Sequence, residues 1–255
     1  MFTKEFNKYA LIDLLALFCY NYSGDFMRLD KLLSNLKYGS RSQIKEMCKD
    51  KRVKVNNVIT LDSSRPVYEA DEIKVDDIII FHKDVFLLML NKPSDVVCAN
   101  KDNLHKTVVD LIKEPYNRYE LNICGRLDID TLGLVLITNS GKLMHKIISP
   151  NSNIDKTYYV EYSGNMDKLA LESPITLKDG NNDEYTTMGS KVEILGDNSC
   201  LITIHEGKFH QVKRMFEYIN CKVELLKRIR IGNVYLDDNL KPGEYKEIEI
   251  DSVLW

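Results

Sequence analysis

The sequence contains no Cys-x-x-C pair, no low-complexity tract and no apolar run of the ~18 residues needed to cross a bilayer, and it shows no evident internal repeat. Each absence removes a class. Cys19, Cys48, Cys98, Cys124, Cys200 and Cys221 stand apart, with no histidine at zinc spacing, so neither a metal site nor a disulfide framework is expected. A reducing cytoplasm is the expected setting, with no membrane partner. Cys124, between apolar neighbours, reads as a packing thiol and not as a nucleophile. Apolar residues at 44% and charged residues at 29% of 255 positions describe a globular chain: one sizeable core, or a small module joined to a larger one. The second arrangement is expected here.

Charge is unevenly placed. Residues 27–56 hold nine Lys or Arg against three Asp or Glu, on a chain of net formal charge −3. A basic module on an otherwise acidic chain suits a polyanion. Residues 1–26 fit poorly with the rest. Ala10 to Phe18 is apolar but interrupted by Asp13, with no small-residue cleavage site after it, so an added helix or a stretch upstream of a start at Met27 is expected in place of a signal peptide.

From Met27 the apolar spacing predicts a helix through Leu33 and Leu36, and a second from about Ser40 to Met47 with a cap at its start. Val53-Lys54-Val55, a turn at Asn56-Asn57, and Val58-Ile59-Thr60 read as a hairpin. Asp76 and Asp77 read as a linker. Val85 to Leu90 fits a buried strand, and further strands are expected at 135–138, 158–162, 191–195, 201–205 and 222–226. Helices are expected near 107–112, 142–147, 166–171 and 209–219, and a surface loop at 178–184. Without a strict βαβ rhythm, the fold class is α+β: a mixed, largely antiparallel sheet with flanking helices, preceded by a small α/β module.

Chemistry concentrates in two segments. Gly125-Arg126-Leu127-Asp128-Ile129-Asp130-Thr131-Leu132-Gly133-Leu134 sets carboxylates and an arginine just before the apolar Val135-Leu136-Ile137, the usual setting of a cleft. Glu206-Gly207-Lys208-Phe209-His210-Gln211-Val212-Lys213-Arg214-Met215 offers cations to hold such a carboxylate ionised. Val212, Met215, Phe216 and Ile219 recur at helical spacing, leaving Lys213 and Arg214 at the edge of a buried stripe.

Both segments resemble signatures of the pseudouridine synthases, and within them the RsuA-type branch. The resemblance continues through Leu90-Asn91-Lys92-Pro93, Ser149-Pro150, Lys156-Thr157-Tyr158, Arg228-Ile229-Arg230-Ile231-Gly232 and Leu240-Lys241-Pro242-Gly243-Glu244-Tyr245. The helix-helix-hairpin order at the start resembles the S4 RNA-binding module. Three segments follow: an extension at 1–26, an S4-like domain at 27–76 and a catalytic domain at 84–255.

The resemblance implies an isomerase that converts one uridine of small-subunit ribosomal RNA, uridine 516, to pseudouridine without cofactor or metal. It implies Asp128 as the catalytic carboxylate, Tyr158 stacked on the target base, Lys213 as its cationic partner with Arg214 as alternative, and Arg126 entering the RNA where the nucleotide is flipped out. His210 and Gln211 receive no catalytic role. In the S4-like module, Arg28, Lys31, Arg41, Lys45, Lys49, Lys51 and Arg52 would face phosphate. Ribosomal RNA is the expected partner of a monomeric protein.

Three alternatives stand beside this reading. The branch-level cues at the end of the chain leave large-subunit ribosomal RNA as the other substrate. On an extended strand Asp128 and Asp130 would point the same way, as in a divalent-metal site, but no third and fourth oxygen ligand has recognisable spacing. Without that metal, Asp130 would hold a loop or helix start through its backbone amides. A synthase body that has lost activity and only binds RNA is the third, with Asp128, Tyr158 and a cation at 213 arguing against it.

Overall fold

The computed structural model describes residues 26–149 and 153–253, so the expectations for the leading segment lie outside the described residues, Phe26 apart. Two compact units divide the chain between Asp84 and Val85.

The first unit holds β1 (Met27–Arg28), α1 (Leu29–Asn35), α2 (Arg41–Lys49), β2 (Val53–Val55), β3 (Val58–Ile59), β4 (Pro66–Val67), β5 (Ile73–Val75) and β6 (Ile78–Ile79). The helix expected from Met27 begins two residues later, because Met27 and Arg28 pair with Val67 and Pro66. Ser40 caps α2 through a capping box: its Oγ accepts from the Gln43 amide at 3.3 Å, and the Gln43 side chain accepts from the Ser40 amide at 2.8 Å. Ile44, Met47 and Cys48 face inward, so Arg41, Lys45 and Lys49 lie outward.

Asn56 and Asn57 take positive φ of 52° and 63°, the geometry of a two-residue turn that follows strand twist. Asp76 and Asp77 do the same at 51° and 65° between β5 and β6, which corrects the linker reading. It also corrects the absence of a repeat. Val-Lys-Val-Asn-Asn-Val-Ile at 53–59 and Ile-Lys-Val-Asp-Asp-Ile-Ile at 73–79 form twin hairpins, joined through β2 and β5 into a sheet of order β3-β2-β5-β6.

The second unit carries β7 (Leu87–Lys92), β8 (Asn122–Cys124), β9 (Leu132–Thr138), α3 (Gly141–Ile148), β10 (Lys156–Ser163), α4 (Lys168–Glu172), β11 (Thr176–Lys178) and β12 (Glu184–Thr186). It continues with β13 (Lys191–Gly196), β14 (Ser199–Ile204), α5 (Gln211–Tyr218), β15 (Lys222–Ile231), β16 (Val234–Tyr235) and β17 (Tyr245–Ile248). Its main sheet runs β13-β14-β10-β15-β9-β7-β17, with β16 added to β15 and β8 to β9. Every pairing in it is antiparallel except β9 with β15, which brings Gly133 beside Arg228. The architecture is α+β with a mixed, largely antiparallel sheet, as the sequence predicts.

Leu88 and Leu90 of β7 point into a core with Val135, Tyr158, Val160, Ile202, Met215 and Phe216, while Leu87 and Met89 point into a second core with Leu134, Leu136, Leu143 and Ile147. A strand covered on both faces is why Val85 to Leu90 is continuously apolar. The helix expected at 107–112 is only a 3-10 turn at Val109–Leu111. Thr107 and Asp110 bond each other's amides and side chains at 2.8 to 3.2 Å, closing a local turn that competes with helix propagation. Cys124 is 1% exposed and burial pushes its thiol up to about 12, in keeping with a packing role.

Candidate active site

Asp128 lies on the connection between β8 and β9, where the Thr131 amide bonds the Asp128 carbonyl at 3.1 Å in a tight turn. This turn, not an extended strand, carries both carboxylates, so they do not present the strand-borne metal pair considered above. Lys92, fully buried at the end of β7, fixes the turn from below: its Nζ donates to the carbonyls of Pro93 at 3.0 Å, Ile129 at 2.9 Å and Thr131 at 2.8 Å. Burial pulls the Lys92 pKa down, with Cys98, Asp130, Asp128 and Asp95 opposing. Three carbonyl dipoles are what keep a buried ammonium tolerable. The sequence shows Lys92 next to Pro93 but gives no sign of this task.

Lys213 reaches the turn from α5. Its Nζ stands 3.3 Å from Asp128 Oδ2, and nearer still to Asp130, at 2.6 and 2.9 Å from its two oxygens. Asp130 is therefore the closer partner of Lys213, a pairing that its reading as a holder of backbone amides did not include; of those amides, its own bonds its carboxyl. Burial disfavours charge on both groups, yet hydrogen bonding and charge between them win: Asp130 sits below the ordinary carboxylate range and Lys213 above the ordinary lysine value. With both carboxylates facing one ammonium, a divalent ion would have to compete for oxygens already in use; among the described residues no cluster of three metal-ligating side chains occurs.

His210 approaches Asp128 from the other side, Nε2 to Oδ1 at 3.4 Å, although the sequence reading gave it no part. Its backbone is left-handed at φ 51° as it enters α5, and its ring stacks on Phe209 at 3.7 Å. That sparsely populated conformation turns the imidazole toward the carboxylate. Gln211 is buried instead, accepting from the Lys208 amide and donating to Glu206 at 3.0 Å. Arg214 lies over the Phe209 ring at 5.1 Å and leaves a buried Nη1 without a hydrogen-bond partner. Asp128, at 25% side-chain exposure, stays open to a ligand.

Tyr158 is 7% exposed in β10 and belongs to the same core cluster as Leu127, the residue before Asp128. Arg126 is exposed and makes no hydrogen bond or ion pair among the described residues. In the first unit, Lys31, Arg41, Lys45, Lys49 and Lys51 are exposed with no side-chain hydrogen bond or ion pair among the described residues. Arg28 and Arg52 differ. Arg28 forks onto Asp30 at 3.1 and 2.7 Å and Arg52 onto Asp76 at 2.7 and 2.6 Å, so a phosphate would have to displace a carboxylate at either.

Comparison with known proteins follows the same division. Residues 86–218 match the family model described as RNA pseudouridylate synthase, and residues 27–73 match that of the S4 domain. An uncharacterized RNA pseudouridine synthase of Bacillus subtilis, YtzG, is 38% identical over 87% of this chain and 95% of its own. A protein of Vibrio parahaemolyticus named ribosomal small subunit pseudouridine synthase A is 38% identical over 89% of this chain and 99% of its own. A crystal structure of a pseudouridylate synthase superposes with TM-score 0.62 at 36% identity, covering 89% of this chain and 99% of the other. This chain belongs to the RNA pseudouridine synthase family, isomerases of uridine in RNA, and carries an S4 domain ahead of its synthase body.

Proposed function

We propose that this enzyme isomerises uridine 516 of small-subunit ribosomal RNA, acting as a cytoplasmic monomer, with Asp128 as the reacting carboxylate. The observation that carries the site assignment is the Asp128 carboxylate, partly open and 3.3 Å from the Lys213 ammonium. The substrate assignment is supported by relatives of matching length that bear the small-subunit name.

The reaction breaks the bond between base nitrogen and ribose and joins the ribose carbon to a ring carbon of the same base. The ring carbon gives up its proton and the freed nitrogen takes one, so no electrons are exchanged and no donor is needed. The Asp128 carboxylate, facing the Lys213 ammonium, serves as nucleophile on the ribose or as base. Tyr158, held in the core, would present its ring to the base. Arg126 is free to enter the vacated stack. His210 places its Nε2 3.4 Å from the other Asp128 oxygen.

Tritium released from RNA labelled on the reacting uracil carbon tests the chemistry. Release that persists in chelator supports the assignment, release abolished by chelator points to metal-dependent chemistry, and binding without release contradicts it. Mapping pseudouridines in ribosomal RNA from cells with and without the gene tests the target. Loss of the mark at uridine 516 supports it; a mark lost from large-subunit RNA would overturn it.

A further inference from the structure

We infer that Arg228 is a positioning residue for catalysis, one side chain that holds both ends of the loop presenting Asp128. Arg228 is 1% exposed and heads the fully buried side chains by size. It makes no ion pair among the described residues. Its partners are backbone carbonyls: Nε donates to Leu134 at 2.8 Å and Nη2 to Gly125 at 3.0 Å. Those two residues bracket the whole motif, with Asp128 between them.

A buried guanidinium without a carboxylate is disfavoured unless other acceptors take its donors, and here the carbonyls of Leu134 and Gly125 take Nε and Nη2. The Arg228 backbone adds a third and a fourth attachment. It pairs with Tyr158 on β10 and with Gly133 on β9. The packing at Gly133 leaves no slack: a Cβ there would lie 2.2 Å from the Arg228 carbonyl oxygen. One residue thus ties the strand of Tyr158 to both ends of the Asp128 loop, while Lys92 holds the loop's middle through Ile129 and Thr131. A lysine at 228 would offer a single donor point and could not span Gly125 and Leu134 together.

The inference rests on Asp128 being the reacting carboxylate. Arg228→Met and Arg228→Lys would be assayed by tritium release, with RNA binding measured separately and folding checked by circular dichroism. Because loop displacements near an ångström cost about 100-fold in rate, both variants should lose roughly that factor in kcat. KM and RNA affinity should stay within about threefold, the signature of an interaction needed after binding. Wild-type kcat in a folded Arg228→Met, full recovery in Arg228→Lys, a loss expressed only in KM, or failure of both variants to fold would each overturn the assignment. Asp128→Asn, run in parallel, separates the two readings: if it keeps turnover, Asp128 is not the reacting group whatever Arg228 does.

Discussion

Lys213 serves two carboxylates of unlike exposure: Asp130 at 63% and Asp128 at 25%. Under the proposed role, Asp128→Asn keeps the side chain's shape but removes the charge assigned to the reaction, so turnover should fall by about 10³-fold or more while RNA affinity changes by at most a few fold. Tritium release and filter binding on one preparation check both. Asp130 gives a pH prediction. Its folded-state pKa lies below the ordinary carboxylate value, so the stability it adds is fully present above that value, near 3.9, and is lost as pH falls through the folded pKa. The melting temperature of the wild type should exceed that of Asp130→Asn by a constant margin between pH 5 and 8, a margin that shrinks below about pH 4. For a half-exposed pair worth roughly 0.2–1 kcal/mol, that margin is on the order of 1–4 °C. Asp128 and Lys213 were legible as residue types in a motif. That Lys213 lies nearer Asp130 was not, because residues 130 and 213 meet only through the fold.

Elements explain why the site is rigid. Gly133 adopts φ 97° where β9 meets β15, and any Cβ would strike the Arg228 carbonyl. Gly133→Ala should cost more than about 3 kcal/mol and abolish or greatly reduce soluble protein, measurable as yield and urea midpoint. Lys92→Met would leave the Pro93, Ile129 and Thr131 carbonyls without their donor, at about 1–3 kcal/mol for each that water cannot reach. A urea midpoint unchanged in that variant would contradict the anchoring role. Long periodic elements were readable: α5 buries Val212, Met215 and Phe216 as their spacing requires. Short ones were not. Asp76-Asp77 reads as an acidic spacer, since only a strand partner shows that two acidic residues with positive φ form a turn; Arg52 and Lys54 then balance their charge.

At the scale of the whole molecule, the basic excess lies in residues 27–56, nine Lys or Arg against three Asp or Glu. Arg41, Lys45 and Lys49 line one face of α2 at spacings of four, a like-charge arrangement unfavourable in isolation and relieved by phosphate. Lys45→Ala should weaken RNA binding by a similar factor for all sequences and lower the slope of log affinity against log salt by about one unit. Titration of the affinity between low and high salt checks this. Arg28→Ala should do less, because that guanidinium already faces Asp30.

Sequence alone carried the architecture, through apolar periodicity, and the reaction class, through the resemblance of the segments around Asp128 and Lys213 to pseudouridine synthase signatures, because both are written in short stretches of chain. Tertiary structure alone decided what holds those residues in place. Lys92 and Arg228 bind backbone carbonyls, and a carbonyl is the same group at every position, so no complementary side chain in the sequence could have announced either anchor.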